Sequence, residues 1–254
     1  MRSEYEVEVL SLEMCGSDVI SARFTRPPGW GFTAGQWIVL TLPGGNPKPL
    51  SKTFTVCSAP SDDYLEITTR VSNSEYKRRL AALIVGERVT VSGPGGRLAL
   101  PVGARRLAFL VGGVGITPVR SMLRQACSQG STFDDAVVFY GNRDDSCVPF
   151  EAELEAMAGC GVRVVPCFEH PRQGWVGERG FVTAEMVRRH LPAGVDDRPF
   201  IVAGPPQMVE AMVAVLDALG VSQERRLIER FGTTAASSGL GEIGRKGHEA
   251  HNGQ

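Results

Sequence analysis

The chain lacks long apolar runs and has almost no net charge. No apolar stretch in its 254 residues approaches the ~20 residues that a helix needs to span a bilayer. The formal net charge is −1, so neither nucleic acid nor an anionic membrane surface is indicated as a partner. The first ten residues also lack the apolar core of a signal peptide. These absences predict a cytoplasmic protein with no membrane span and no nucleic-acid partner.

Paired cysteine motifs are absent as well. Six cysteines stand at positions 15, 57, 127, 147, 160 and 167, and no two of them form a CxxC pair. Their spacing matches neither a zinc site nor an iron–sulfur site. The sequence therefore predicts no metal site, and it predicts reduced, isolated cysteines of the kind found in protein cores.

Hydrophobic periodicity divides the chain into two unlike halves. Segments such as EYEVEVLSLEM and DVISARFTR alternate apolar and polar residues, which is typical of half-buried antiparallel strands. Six such strands, with one helical insert at SEYKRRLAAL, predict a small antiparallel barrel. Beyond residues 101–105, strand and helix alternate, which predicts a parallel sheet. The expected domains are residues 1–102 and 103–232, followed by a disordered Gly-rich tail at 233–254.

A glycine-rich turn follows the first buried strand of the second half, in LAFLVGGVGITPVRSML. Glycines allow a close approach of the backbone to a ligand, and the N-terminus of the following helix suits a pyrophosphate. Thr117 is expected to cap this helix and Pro118 to occupy its first position. The complete GxGxxG fingerprint is missing, because Pro118 stands where glycine is required, which disfavours a simple Rossmann dehydrogenase. The candidate nucleotide-binding residues here are Gly112, Gly113, Gly115, Thr117 and Pro118.

A second turn of this kind occurs in IVAGPPQM, where Gly204 and Pro205 end a strand before another helix. Parallel strands present their carboxyl ends at one edge of the sheet, where ligands bind. The two turns together therefore predict a nucleotide cleft.

The motifs GGVGITP, AGPPQM and ERFG resemble those of the ferredoxin–NADP reductase family, and the resemblance covers residues 1 to about 232. It implies a flavin-binding barrel followed by a nicotinamide-nucleotide domain. The chain departs from the family pattern at Ala203, where a cysteine is common, and at Gly95 and Leu98, where aromatic residues are common.

The resemblance also implies roles for residues in SKTFT, which matches the family's Arg-x-Tyr/Phe-Ser/Thr flavin motif with lysine in place of arginine. Lys52 would neutralise a flavin phosphate, Phe54 would lie against the isoalloxazine, and Thr55 would hydrogen-bond near the flavin N5. These roles agree with the chemistry of the three groups. In ERFG, Glu229 and Phe231 would approach the flavin.

Further cofactor contacts are expected from two other segments. By the same resemblance, Ser72, Ser74 and Lys77 would contact the flavin phosphates, with Ser74 as a helix N-cap. Where NADPH-preferring members often carry Ser-Arg, this chain has Glu169 followed by histidine, and a carboxylate there would repel the extra phosphate. Arg143 could still supply one cation. The sequence favours NADH but leaves NADPH open.

The function predicted from these features is that of an NAD(P)H-dependent flavoprotein reductase. FAD is the expected flavin, with FMN open, and the electrons would pass to a separate acceptor such as a ferredoxin, a flavodoxin, an oxygenase component or a ferric chelate. Two alternatives stay open: a flavin-free binding or regulatory module, and a dehydrogenase that acts directly on a carbonyl or alcohol.

Overall fold

The computed structural model of the chain describes residues 3–44, 48–191, 194–195 and 197–231. The predicted disordered tail at residues 233–254, with His248 and His251, lies outside the described residues. Within the described part of the chain, no helix has both the length and the apolar character that crossing a membrane requires.

The first half forms one antiparallel sheet because its strands alternate buried apolar and exposed polar residues. In the first strand, for example, Val7 and Val9 are buried while Glu6 and Glu8 are exposed. The strand order is β4-β3-β6-β1-β2-β5, and a short helix, α1 (Glu75–Ala81), follows β5. The six strands are β1 (Glu4–Cys15), β2 (Val19–Thr25), β3 (Trp37–Leu42), β4 (Leu50–Thr55), β5 (Tyr64–Arg70) and β6 (Arg88–Gly95).

This sheet curls around an apolar core. Ile38, Leu40 and Ile67 are fully buried inside it. The edge strands meet just beyond β4, where the N–H of Cys57 donates to the carbonyl of Glu66 (2.8 Å). A six-stranded barrel therefore results.

The second half forms a parallel sheet in the order β10-β9-β8-β7-β11-β12. Its central strands are continuously apolar because helices cover both faces, as expected for a parallel sheet. Helices α2 and α3 pack on one face, and α4 and α5 pack on the other. The strands are β7 (Arg106–Gly112), β8 (Asp135–Asn142), β9 (Val162–Phe168), β10 (Glu178–Arg179), β11 (Phe200–Gly204) and β12 (Arg226–Arg230), and the helices are α2 (Ile116–Ser128), α3 (Glu151–Ala156), α4 (Ala184–His190) and α5 (Pro206–Ala218).

The predicted fold class is confirmed: an antiparallel six-stranded barrel is followed by a parallel-sheet domain. Strand β10 was not predicted, because two residues are too short to show a period. The boundary between residues 102 and 103 stays a prediction; it lies between β6, which ends at Gly95, and β7, which begins at Arg106.

The expectation of six reduced cysteines was wrong for one pair. Cys15, at the end of β1, forms a disulfide with Cys147, in the segment after β8, across a Cα–Cα distance of 5.5 Å. The two residues are 132 positions apart, so only the tertiary fold brings them together. Gly16 turns away beside them with a φ of +60°, and a Cβ there would lie 2.9 Å from the Cβ of Cys147. The bridge covalently links the barrel to the parallel-sheet domain.

Candidate active site

The predicted nucleotide turn lies at the carboxyl edge of the parallel sheet. Gly112 ends β7, residues Gly113–Gly115 form one turn of 3-10 helix, and α2 begins at once. A Cβ on Gly115 would lie 2.2 Å from the carbonyl oxygen of Ala203, so only glycine allows β11 to approach this closely. The hydroxyl of Tyr140 donates to the carbonyl of Gly113 (3.1 Å) and holds the turn from the β8 side.

The structure corrects the predicted cap of α2. The helix begins at Ile116, before Thr117, and its N-cap is Gly115, which has no side chain to accept a hydrogen bond. The Thr117 hydroxyl instead donates to the carbonyl of Val114 (2.9 Å) inside the turn. Pro118 is correspondingly the third residue of the helix.

The second predicted turn lies beside the first because β7 and β11 are neighbours in the sheet. Pro205 is the N-cap of α5, directly after Gly204. The Met208 side chain lies between the two turns: a Cβ on either Gly112 or Gly204 would lie 2.7 Å from its sulfur. The N–H of Phe231 donates to the carbonyl of Gly204 (2.9 Å). The fold therefore brings both glycine turns and the end of β12 together.

Glu229 is the acidic group at this edge. Its backbone lies opposite Ala203 in the β11–β12 ladder. The Oε2 atom is buried and has no hydrogen-bond partner among the described residues. Burial raises the pKa of Glu229 to about 7, so that its carboxyl changes protonation state near neutral pH. A buried carboxyl without a partner is costly, which makes Glu229 a candidate for a group that contacts a ligand.

On the barrel side, two lysines meet at one site. Lys52 and Phe54 lie on the same face of β4, and Lys77 reaches the site from α1. The Lys77 Nζ lies 4.7 Å from the centroid of the Phe54 ring, and the Lys52 Nζ lies 5.6 Å from that of Tyr76. Burial, with a further contribution from the charge of Lys52, lowers the pKa of Lys77 to about 8. The Lys77 ammonium also donates to the hydroxyl of Thr69. Two cations beside the neighbouring Phe54 and Tyr76 rings suit an anionic ligand such as a phosphate.

Ser72 and Ser74, the other residues predicted to contact the flavin phosphates, lie at the start of α1, close to the backbone of Lys77. Ser74 is the N-cap of α1, as predicted, and its Oγ accepts from the N–H of Lys77 (3.3 Å). The hydroxyl of Ser72 donates to that of Ser74 (3.3 Å). Phe54 is only 9% exposed and packs within the barrel core, so only a small part of its ring is open to a ligand.

Thr55 lies on the opposite face of β4 from Phe54, in register with Trp37 of β3. Trp37 is also the register partner of Gly95 in β6. A Cβ on Gly95 would lie 2.5 Å from the Trp37 ring. The Trp37 indole therefore packs against Gly95, the position at which aromatic residues are common in the family. Sequence reasoning missed Trp37, because the local pattern of β3 does not show its pairing with Gly95 of β6.

Arg143 and Glu169 approach each other at the far end of the same sheet edge. The N–H of His170 donates to the carbonyl of Arg143 (2.7 Å). The Arg143 side chain is 71% exposed and pairs with Asp144 (3.2 Å). The backbones of the two residues predicted to bear on nucleotide preference are therefore neighbours.

A polar seam joins the two domains, and sequence reasoning missed it. Arg120 of α2 is 2% exposed and donates to the carbonyl of Cys57 (2.9 Å) and to the carboxylate of Glu66 (2.9 Å), both in the barrel half. The hydroxyl of Ser121 donates to the carbonyl of Ser58 (2.6 Å). The available signal was the polar pair in PVRSML, within an otherwise apolar stretch.

The fold and the site define a two-domain oxidoreductase with separate flavin and nicotinamide-nucleotide modules. Family models agree: residues 4–97 match a FAD-binding domain, and residues 109–214 match an oxidoreductase NAD-binding domain. NADH-cytochrome b5 reductase 1 of Aspergillus terreus is 31% identical over 206 residues, which cover 77% of this chain and 70% of that protein. The corresponding protein of Emericella nidulans is 30% identical, with 77% and 66% covered.

Solved structures share the fold. A ferredoxin NADP+ reductase from Neisseria gonorrhoeae with bound FAD and NADP has a TM-score of 0.78 at 20% identity, covering 89% of this chain and 98% of that one. The cytochrome b5 reductase domain of Ulva prolifera nitrate reductase has a TM-score of 0.77 at 20% identity, with 89% and 97% covered. The chain belongs to the ferredoxin–NADP reductase family. It is an NAD(P)H-dependent flavin oxidoreductase whose cofactor is FAD.

Proposed function

We propose that the protein transfers a hydride from NADH to its flavin and passes the electrons to a separate one-electron acceptor. The observation that carries this proposal is the arrangement of the two half-sites. A phosphate-suited lysine pair lies on the barrel, a glycine edge suited to a nucleotide lies on the parallel sheet, and α2 connects them. When bound, the flavin accepts the hydride and releases electrons singly.

The barrel residues hold and orient the flavin. Lys52 and Lys77 bind its phosphates, since the two ammonium groups already repel each other when no anion is present. Ser72 and Ser74 support Lys77 by shaping the start of α1. Thr55 donates its hydroxyl near the flavin N5 from the open face of β4, and Phe54 contributes its exposed edge.

The parallel-sheet residues hold the nicotinamide nucleotide. The backbone of the turn at Gly112, Gly113 and Gly115 binds the pyrophosphate at the start of α2, and Thr117 and Pro118 shape the turn. Gly204 and Pro205 form the facing wall. Glu229 and Phe231 close this part of the cleft next to the nicotinamide ring. The carboxyl of Glu229 is buried there. The proposed domain division at residues 102 and 103 assigns each half-site to its own module.

NADH is the proposed electron donor. By the family resemblance, Glu169 stands where NADPH-preferring members often carry Ser-Arg, and its carboxylate would repel the extra phosphate. Arg143 is already paired with Asp144. The relatives named NADH-cytochrome b5 reductase 1 also support this choice, because their name specifies NADH. Turnover should be compared with NADH and NADPH at equal, limiting concentrations. A strong preference for NADPH would contradict this choice.

A small one-electron carrier protein is the proposed acceptor. The relatives favour a haem protein of the cytochrome b5 type, and a ferredoxin, a flavodoxin, an oxygenase component or a ferric chelate belong to the same test. No group of three or more metal-ligating side chains occurs among the described residues. The acceptor's redox centre is proposed to lie in a separate molecule. The acceptors should be screened for NADH-dependent reduction by the purified protein.

The decisive test of the whole proposal is anaerobic titration of the purified, FAD-loaded protein with NADH. We expect the visible flavin absorbance to bleach stoichiometrically. A protein that takes up neither FAD nor FMN would indicate a binding or regulatory module instead. A flavin that stays oxidised in the presence of both nucleotides would also contradict the proposal.

A further inference from the structure

The guanidinium of Arg120 is enclosed at the seam between the two domains. In addition to the Cys57 carbonyl and Glu66, it donates to the carboxylate of Glu153 (2.8 Å) at the start of α3. The Phe150 ring covers it at 4.2 Å from the centroid. Phe150 adopts a φ of +63°, which is uncommon for a residue other than glycine. Three hydrogen-bond acceptors and one aromatic ring therefore enclose this one side chain.

Stability alone does not explain such an arrangement. Removing charges from water is costly, and replacing a buried ion pair by apolar side chains of similar volume is often neutral or stabilising. A well-packed methionine or leucine could join two domains as firmly. An arginine differs from an apolar side chain because its planar guanidinium fixes the relative positions of the groups that accept its hydrogen bonds.

The groups fixed by Arg120 lie next to both half-sites. On one side, Cys57 is two residues beyond Thr55, the residue proposed to contact the flavin N5. On the other side, Arg120 is four residues beyond Ile116, where α2 begins directly after the nucleotide turn. That distance is about 6 Å along a helix, at roughly 1.5 Å per residue. The route from the nucleotide turn to the flavin strand is thus short and consists of one rigid helix and one hydrogen bond.

We infer that Arg120 is a positioning residue for hydride transfer, which sets the approach of the nicotinamide to the flavin N5 through its hydrogen bond to the Cys57 carbonyl. Ser121 reinforces the same register through the carbonyl of Ser58. The inference rests on the proposed function. Arg120 itself touches neither ring and takes no part in the proton or electron steps. Its effect is on geometry, to which hydride transfer is sensitive.

The test uses the full-length, FAD-loaded protein and two variants. Arg120→Lys keeps the charge beside Glu66 and Glu153 but has no fork to hold the carbonyl at the same time. The double variant Arg120→Met/Glu66→Gln removes both charges, so no unpaired carboxylate is left at Glu66. Arg124→Gln is the matched control: Arg124 lies one turn further along α2 and pairs with Glu153 and Asp62 on the rim of the seam.

Four quantities should be measured for each protein: the flavin content, the melting temperature, the dissociation constant for NADH, and the limiting rate of anaerobic flavin bleaching at saturating NADH. We expect both Arg120 variants to keep their flavin, with an NADH dissociation constant within about threefold of wild type. The limiting bleaching rate should fall about 10- to 100-fold, as a misplacement near 1 Å implies. Arg124→Gln should bleach at the wild-type rate.

Two outcomes would overturn the inference. Limiting rates within about twofold of wild type in both Arg120 variants, with only the melting temperature lowered, would assign Arg120 a structural role. An equal loss of rate in Arg124→Gln would show that the effect belongs to the seam as a whole and is not specific to the Cys57 contact. If NADH fails to bleach the wild-type flavin, the proposed function itself fails and this inference falls with it. If wild type bleaches and the variants match it, only the inference fails.

Discussion

The two half-sites differ in their chemistry: the barrel site is built from charged side chains, and the parallel-sheet site is built from glycines. In the proposed site, side chains of the barrel would carry the recognition, because Lys52 and Lys77 place their charges beside Phe54 and Tyr76. On the parallel sheet, the lack of a side chain matters instead, because only glycine at position 115 permits the close contact with β11. Substitutions on the barrel should therefore act mainly through charge, whereas substitutions at the sheet edge should act mainly through space.

The largest expected effect concerns the covalent link between these two regions. Cys15→Ser should lower the free energy of unfolding by about 2–5 kcal/mol, because the disulfide closes a long loop in the unfolded chain. Chemical denaturation with and without reductant measures it. Reductant should destabilise wild type by a similar amount and leave the variant unchanged. Equal stability of wild type and variant without reductant would show that the bridge does not form in solution.

Gly115→Ala tests the steric half of the comparison. The added Cβ would lie 2.2 Å from the Ala203 carbonyl, so β11 or the turn must move. We expect NAD+ affinity to fall about 100-fold while FAD stays bound, since a shift of about 1 Å at a positioned site costs that much. Gly159→Ala is the control, because a Cβ there meets nothing within 4 Å. A simultaneous loss of FAD would show that the substitution disturbs more than the space at the sheet edge.

Lys77→Met tests the electrostatic half. Loss of one charge-assisted contact should weaken FAD binding about 10- to 100-fold, from roughly 1.5–3 kcal/mol per such bond. The flavin-free protein should melt at a higher temperature, because the variant no longer buries an ammonium whose pKa is depressed. Arg78→Met removes an exposed charge from the same helix and should change neither quantity. Weaker FAD binding together with a lower melting temperature would instead indicate a folding defect.

A smaller, pH-dependent effect is expected at Glu229. Its pKa is raised to about 7, so its carboxyl is neutral below that pH and ionised above it. The ionised form attracts the positively charged ring of NAD+ but has no such interaction with NADH. NAD+ affinity should thus rise several-fold as the pH increases through about 7, while NADH affinity stays nearly constant. Titrations of both nucleotides at several pH values measure this, and Glu229→Gln should abolish the dependence. An unchanged slope in that variant would assign the effect to another group.

Local patterns were sufficient to predict the fold class and the two glycine turns at the edge of the parallel sheet. Alternation of period two gave the barrel strands, and the glycine turns marked the sheet edge, because these features depend on near neighbours in sequence. The interior position of Phe54 was not predicted, since a strand pattern does not reveal which face a ligand would use. Arg120 and Trp37 were missed because their partners are 63 and 58 positions away, respectively, at Cys57 and Gly95. The first pairing appears only when the two domains are packed, and the second only when β3 and β6 are paired in the barrel.

The disulfide between Cys15 and Cys147 changes what a break in the backbone would do. The chain passes from barrel to parallel sheet through residues 96–105, and the bridge is a second covalent connection between the same two bodies. A protease that cuts within residues 101–105 would leave one molecule of unchanged mass apart from the added water. On a denaturing gel the two fragments would separate only after a thiol had been added.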